Sequence, residues 1–209
     1  MIAPWQSPAA SWSVLVEAPT EEPITLAMGK LLAGLAWPVT DPPDPRDDLM
    51  TGWIAAARDK VERDTGLALL TQTRDVYFTT IAAGLVQLPG QALPIQEVIS
   101  VTPMNSATWV ALGAPLPPGA WEIVTEDGVT TLAASALDGI GAAIARLKVG
   151  WTDRAALKTA APMLVHAVGL LTAHFATAGR DAVVTGTIAA KNPIGYDEAI
   201  APYCRVWVP

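Results

Sequence analysis

The chain has 209 residues, a formal net charge of −7, one cysteine and a hydrophobic fraction of 51%. A unit of this length buries roughly 70% of its unfolded surface, so it needs no disulfide or metal for stability. The single cysteine excludes an intrachain disulfide framework and fits a reducing compartment. The negative charge disfavours general nucleic-acid binding, which depends on Lys and Arg neutralising phosphates.

Residues 1–22 predict an extended N-terminal arm. They contain several prolines and small residues, with one possible strand at Trp12–Glu17. The segment lacks the basic start and long apolar core of a signal peptide. A poorly ordered terminus and an arm that orders on a neighbouring subunit remain equal alternatives.

The first predicted helix covers Leu26–Ala36, with Thr25 as its N-cap. Its apolar residues recur at helical spacing and predict a buried stripe made of Leu26, Leu31, Leu32 and Leu35. The proline-rich segment 37–45 then breaks the helix.

The second predicted helix runs from about Arg46 to Thr65. Asp44 is a suitable N-cap, Pro45 fits the first helical position, and Gly66 is a suitable C-terminal stop. The apolar residues at helical spacing are Leu49, Met50, Trp53, Ile54, Ala57 and Val61.

Residues 73–155 predict an antiparallel β-module. Short runs rich in β-branched and aromatic residues alternate here with Gly and Pro. The predicted strands are Thr73–Thr80, Leu85–Leu88, Glu97–Thr102, Thr108–Leu112, Trp121–Thr125, Val129–Leu132 and Ala145–Trp151.

The third predicted helix runs from Pro162 to Gly179. Residues 159–179 carry no Asp, Glu, Lys or Arg and are long enough to span a bilayer. Proline, glycine and histidine interrupt them, however, and no aromatic belt frames them. The pattern therefore favours a helix covered on several sides by protein.

These elements predict an α+β fold, namely a small bundle of three main helices with an inserted antiparallel β-module and extended termini. The predicted divisions are an N-terminal arm (1–22), the first helical part (23–72), the β-module (73–155), the second helical part (156–195) and a C-terminal tail (196–209). A short helix is predicted at Tyr196–Ala201.

Several segments, in this order, resemble the head–tail connector, or adaptor, proteins of tailed phages and of gene transfer agents. The matching segments are Pro23–Leu26 (PITL), Val61–Gly66 (VERDTG), Leu70–Thr73 (LTQT), Lys148–Trp151 (KVGW), Gly179–Val183 (GRDAV), Pro193–Gly195 (PIG) and Ala201–Tyr203 (APY). Each segment is weak alone, and their shared order carries the resemblance. Met28 departs from the family pattern, which often has an acidic residue at that position.

The resemblance implies a structural protein of the virion neck, at the head–tail junction, assembled in the cytoplasm of a host bacterium. Such a protein forms a dodecameric ring beneath the portal and docks a stopper or tail-completion protein on its other face. DNA passes through the lumen, during packaging and genome ejection, without specific binding. No membrane, cofactor or metal is implied.

By the same resemblance, the C-terminal segment reaches into the portal. The expected partner-binding residues are Tyr196, Pro202, Tyr203, Arg205 and Trp207. A helix face that is either intersubunit or core is expected at Leu164, Val168, Leu171, Phe175, Trp53 and Ile54. The alternative, a C-terminal tail folded on its own subunit, remains open.

The sequence does not favour an enzyme. It has no G-x-S-x-G, H-E-x-x-H or phosphate-binding G-x-x-x-x-G-K-[ST] motif. His166 and His174 lie roughly 80° apart around an ideal helix, but nearby carboxylates are missing for a metal site. Cys204 has no local signature of a nucleophile and is expected to be a packing residue.

The tryptophans leave one alternative function open. Trp109, Trp121 and Trp151 could form a carbohydrate- or host-surface-binding platform on the β-module of a virion accessory protein. We expect instead that they fill the core of a small sheet. Trp5, Trp12 and Trp207 are better candidates for intersubunit or partner anchors, since interface hot spots favour tryptophan.

Overall fold

The computed structural model describes residues 11–35, 44–79, 84–89, 92–126, 129–181 and 192–204. The chain divides into two compact units, each built from two separate pieces of sequence. Unit 1 comprises Met1–Ala18 and Gln72–Gly150, and unit 2 comprises Pro19–Thr71 and Trp151–Pro209.

The architecture belongs to the α+β class, as the sequence predicts. The strands are β1 (Ser11–Glu17), β2 (Gln72–Thr79), β3 (Leu85–Gln87), β4 (Ile95–Met104), β5 (Glu122–Glu126), β6 (Val129–Ala133) and β7 (Ala142–Val149). The α-helices are α1 (Leu26–Leu32), α2 (Pro45–Thr65), α3 (Arg154–Ala160), α4 (Pro162–Asp181) and α5 (Tyr196–Ile200). Short 3₁₀ turns lie at Ser135–Leu137 and Ala201–Tyr203.

Unit 1 contains a four-stranded antiparallel sheet, in the order β1-β2-β7-β4, and a three-stranded one in the order β3-β6-β5. Period-two alternation sets the faces of the larger sheet. In β2, Val76 and Phe78 are fully buried, whereas Asp75 and Tyr77, which alternate with them, are only half-buried. Towards the end of β2 the buried face is therefore apolar and the opposite face is polar and aromatic, whereas the start of the strand also buries Gln72 and Arg74.

The strand β1 confirms the possible strand at Trp12–Glu17, and it belongs to this sheet, although the rest of residues 1–22 was expected to form an extended arm. It pairs antiparallel with β2, with Trp12 opposite Tyr77 and Val14 opposite Asp75. A partner strand about sixty residues away supplies the hydrogen bonds, and the short apolar run alone could not indicate that partner.

The predicted strand Thr108–Leu112 is wrong. Asn105 accepts hydrogen bonds at its side-chain oxygen from the backbone N–H groups of Ala107 (2.9 Å) and Thr108 (3.0 Å). This Asx turn diverts the chain, and only Ala111 forms an isolated bridge, with Met104 of β4.

Unit 2 is built on α2 and α4, and the bounds of α2 follow the prediction closely. The Asp44 side chain accepts a hydrogen bond from the Arg46 N–H at 2.9 Å, and Pro45 occupies the first turn. Gly66 ends the helix in the left-handed conformation, with φ of 71°. Local cap chemistry is sufficient to set both ends.

The helix α3 was not predicted. Asp153 caps it by accepting a hydrogen bond from the Ala156 N–H at 2.8 Å, and Pro162 then begins α4. Within the described ranges no single helix has both the length and the apolarity of a membrane span. The segments Arg154–Ala160 and Pro162–Thr177 reach that composition only together, and they are bent by 110°.

The predicted buried stripe of helix α1 is confirmed only in part, because Leu26 and Leu35 pack against the hydrophobic cluster of unit 2 and the other two leucines do not. Leu31 and Leu32, expected in its buried stripe, are exposed, and Gly29 and Lys30 are buried instead. Lys30 Nζ lies 2.6 Å from an Asp47 carboxylate oxygen, so each buried charge has an opposite charge beside it that offsets part of the cost of its burial.

Candidate partner-binding surfaces

The helix face that we expected to be intersubunit or core lies in the core of unit 2. Leu164, Val168, Leu171 and Ile54 are at most 2% exposed and belong to one hydrophobic cluster. Trp53 and Phe175 are partly buried and pack against the same cluster. These side chains are therefore already covered within one subunit, which leaves other residues to contact partners.

The C-terminal segment is fastened to α2 through Tyr196. Its side chain is fully buried, and its hydroxyl donates a hydrogen bond to Asp64 Oδ2 at 2.7 Å. Lys60 Nζ lies 2.8 Å from the same Asp64 oxygen and 5.4 Å from the centre of the Tyr196 ring. Burial, followed by the hydrogen bond to Asp64, raises the pKa of Tyr196.

This position corrects the expected partner-binding set. A fully buried Tyr196 cannot contact a second protein directly, because its ring and hydroxyl are used within unit 2. Pro202 is exposed and Tyr203 is half-buried, so both present accessible surface. Arg205 and Trp207 lie outside the described residues.

Cys204 ends the described part of the C-terminal segment. Its Sγ lies 3.6 Å from the backbone carbonyl oxygen of Asp64. Burial raises the pKa of the thiol, and the Asp64 carboxylate adds to the shift. The raised pKa lowers the thiolate fraction, so this environment is that of a packing residue and not of an activated nucleophile.

Three aromatic rings meet on the polar face of the larger sheet in unit 1. Trp12 stacks on Tyr77 with ring centroids 5.2 Å apart and planes 4° apart. Trp109 meets both rings edge-on, at 5.4 Å from Trp12 and 5.5 Å from Tyr77. Two of the three rings come from adjacent strands, and the third is carried by the turn that follows β4.

The predicted role of the tryptophans as core residues of the β-module is wrong. Trp109, Trp121 and Trp151 are all only half-buried, and Trp151 packs against the cluster of unit 2. Among the described residues, the buried hydrophobic side chains of unit 1 are alanine, valine, leucine and one methionine, apart from Phe78, and none of them is a tryptophan. Among the described side chains no ring contact joins these three tryptophans to one another. Trp5 lies outside the described residues.

The same sheet face holds a polar pair beside the aromatic rings. Arg146 of β7 donates two hydrogen bonds to the Asp75 carboxylate, at 2.7 and 2.8 Å. This pairing holds the pKa of Arg146 above its ordinary value. A shallow depression of about 290 Å³ adjoins the pair and is lined by Asp75, Ser100, Thr102, Met104, Ala111, Ile144 and Arg146.

The two histidines, which the sequence offered as a pair on one helix, both lie on α4. His166 is exposed, and His174 lies with its ring centroid 6.1 Å from that of Phe175. In the part of the chain that the structure describes, no three His, Cys, Asp or Glu side chains are grouped in a metal-binding arrangement.

Sequence reasoning missed the charged groups that fix the N-terminal part of unit 2. Arg58 of α2 donates a hydrogen bond to Glu22 Oε1 at 2.7 Å, and it also pairs with Asp59. The other Glu22 oxygen is buried and has no hydrogen-bond partner among the described residues. Burial raises the pKa of Glu22 despite the attraction of Arg58. A glutamate shortly before a helix gave no sequence signal for this contact, because Arg58 lies 36 residues further along the chain.

Comparison with family models found no match, and no curated protein matches the chain in sequence. Solved structures do match. A chain in the neck of an empty gene transfer agent particle, computed with C6 symmetry, has a TM-score of 0.69 and 18% identity, covering 95% of this chain and 97% of that chain.

Two further solved structures from gene transfer agent particles also match this chain. A chain in the virion of a native gene transfer agent particle has a TM-score of 0.68, and one in the neck of a native particle computed with C12 symmetry has 0.61. Both are 19% identical, and each match covers 94% of this chain and 97% of that chain. This chain therefore has the fold of chains from gene transfer agent particles, in agreement with the connector family that its sequence resembles.

Proposed function

We propose that this chain is a structural adaptor in the neck of a tailed phage or a phage-like particle such as a gene transfer agent. The observation that carries the proposal is the two-way coverage of the structural match, 95% of this chain and 97% of the neck chain. A match across both units, and not within one common subdomain, supports a shared role as well as a shared fold. The order of the connector-like sequence segments supports the same role independently.

The proposed assembly is a closed ring of identical subunits, twelve in number. The matched necks were computed with C6 and C12 symmetry, which supports a cyclic arrangement. In a cyclic ring each subunit uses two different surfaces, because the contacts run head to tail. The acidic chain, with a net charge of −7, suits a channel wall that DNA passes without adhering.

The proposed portal contact is the end of the C-terminal segment. The Tyr196–Asp64 hydrogen bond holds α5 against α2, so Cys204, the last described residue, has a defined place beside Asp64. We assign the contact to Pro202, Tyr203, Arg205 and Trp207, and we assign docking of a stopper or tail-completion protein to the opposite side of the ring. In this role the protein works by assembly and has no catalytic step.

The proposal is tested by imaging intact particles that contain this chain. We expect cryo-electron microscopy of the purified particles to show a ring between the capsid vertex and the tail into which copies of this fold can be placed. Labelling with an antibody against the chain provides an independent readout. Particles whose neck density excludes this fold, or in which the antibody marks only the capsid or the distal tail, would contradict the proposal.

A further inference from the structure

Three of the four large apolar side chains of α1 are substantially exposed, whereas Leu26 packs against the hydrophobic cluster of unit 2. Leu32 is also in contact with α4, because its Cδ1 would lie 2.7 Å from a Cβ atom on Gly169. Met28 is 45% exposed, Leu31 72% and Leu32 46%. These residues have the i, i+3, i+4 spacing of one helix face, and we call them the α1 face. The small Gly29 and the charged Lys30 are buried in their place. An amphipathic helix normally has the reverse arrangement.

Two separate contacts fix α1 in this orientation. A Cβ atom on Gly29 would lie 3.0 Å from Ile54 Cδ1 and 3.2 Å from Met50 Sδ, so α1 approaches α2 as closely as a glycine permits. Lys30 Nζ is held 2.6 Å from Asp47 with both side chains almost completely buried. Rotating the leucines inward would separate this buried pair, and each isolated charge would then be uncompensated.

The α1 face also contains no charge. The only charged residue of α1 is Lys30, which points inward to Asp47, although the chain as a whole carries −7. Two copies of an acidic chain repel each other across most of their surfaces. The α1 face is a place where a second copy can approach without bringing like charges together. A contiguous exposed apolar group of this kind marks an interaction surface.

We propose that the α1 face is where one copy of this chain packs against the next copy in the ring. This inference rests on the proposed function. The occupant is a second copy because the face lacks the charge that would repel one, and because chains with this fold occur in necks of C6 and C12 symmetry. The contact is head to tail, so the α1 face meets a different surface of the neighbour.

The first test compares two matched leucine substitutions. Leu31→Lys places a charge in the α1 face, and Leu85→Lys places one at a similarly exposed leucine, 53% exposed, in β3 of unit 1. Because both side chains are exposed, we expect unchanged thermal unfolding of the purified chains. We expect the amount of Leu31→Lys chain in purified particles to fall by about tenfold or more, with Leu85→Lys incorporated at the wild-type level.

The outcomes separate this inference from the proposed function. Absence of the wild-type chain from the neck of the particles would contradict the proposed function itself. Wild-type and Leu31→Lys chains incorporated equally into neck rings would leave the function intact and overturn only the role of the α1 face. Equal loss with Leu31→Lys and Leu85→Lys would also overturn it, because the effect would then not be specific to α1.

The second test identifies the occupant directly and does not depend on a charged variant. A photo-crosslinking amino acid at position 31, in otherwise wild-type particles, is expected to give covalent multimers of this chain after irradiation. The same group at exposed Leu85 serves as the control. Crosslinks from position 31 to another virion protein, or none to a second copy, would contradict the assignment.

Discussion

The Lys30–Asp47 ion pair is the residue-level contact with the largest expected effect on stability. Both side chains are about 5% exposed. Lys30→Met leaves the Asp47 carboxylate buried without its partner, so we expect the free energy of unfolding to fall by about 3 kcal/mol. Urea unfolding of the purified chain measures it. In the control Lys30→Met/Asp47→Asn both charges are gone and much of the loss should be recovered. A loss below about 1 kcal/mol in the single variant would contradict the inferred role.

Glu22 gives a prediction about pH. Burial raises its folded pKa above the ordinary value of 4.5, so the folded state holds the proton more tightly than the unfolded state. Its contribution to stability is fully present below pH 4.5 and is lost as pH rises through the raised folded pKa. The variant Glu22→Gln cannot ionise. We therefore expect its free energy of unfolding, relative to that of the wild type, to increase as pH rises through the folded pKa of Glu22. Urea unfolding of both proteins from pH 4 to 7 measures this difference. A difference that stays constant with pH would show that ionisation of Glu22 does not affect stability.

Local cap chemistry could be predicted from the sequence, and long-range charge pairing could not. Asp44 and Gly66 act within four residues of their own positions, and both were identified correctly. Lys30 and Asp47 belong to different helices, and nothing in either segment specifies the other as its partner. For that reason the predicted burial of Leu31 and Leu32 was wrong. Periodicity favours burying leucines, whereas the close helix contact at Gly29 and the ion pair determine the observed face.

At the level of elements, α4 is the central helix of unit 2, and Leu171 tests its burial. Leu171 is 1% exposed within the hydrophobic cluster. We expect Leu171→Asp to lower the free energy of unfolding by about 3 kcal/mol or more, because the carboxylate would be buried without a partner. Met163→Asp, at a 43% exposed position of the same helix, is the matched control and should change stability little. Circular dichroism during urea unfolding compares the two. Similar stability in both variants would exclude a buried role for this face.

The bounds of the strands were easier to predict than the pairing between them. Alternation and turn residues indicated most strands within a few residues of their observed bounds, as for β2 and β6. The error at Thr108–Leu112 arose because side-chain hydrogen bonds from Asn105 to the backbone outweigh a weak strand preference. The short α3 was missed because its cap, Asp153, precedes only seven helical residues of weak apolar periodicity.

At the level of the whole molecule, two deletions of different length separate the proposed portal contact of the C-terminal segment from its contribution to the core of unit 2. Removing residues 205–209 leaves Tyr196 and the cluster of unit 2 intact, so we expect a folded subunit that binds the portal protein more weakly. Removing Tyr196–Pro209 also deletes buried Tyr196, Ala199 and Ile200, and we expect it to destabilise unit 2 itself. Pull-down with the portal protein, together with thermal unfolding, measures both effects. Full portal binding after the shorter deletion would exclude the proposed contact.

The sequence could indicate the fold and could not indicate which surfaces contact partners. Connector-like segments spread along the chain gave the resemblance, and the structural match agrees with it. The expected partner residues were harder to select, because an aromatic near a chain end suits an interface and a core equally. Tyr196 illustrates this, since its hydroxyl is satisfied by Asp64 inside unit 2.

The discontinuous make-up of the two units has a consequence for synthesis on the ribosome. Every piece of unit 1 precedes residue 151, whereas unit 2 is complete only after α4 and α5 have been translated. Vectorial synthesis therefore allows unit 1 to fold first, while α1 and α2 await the partner helix that covers Ile54 and Val61. Nascent chains stalled before α4 should consequently be the form most dependent on chaperones.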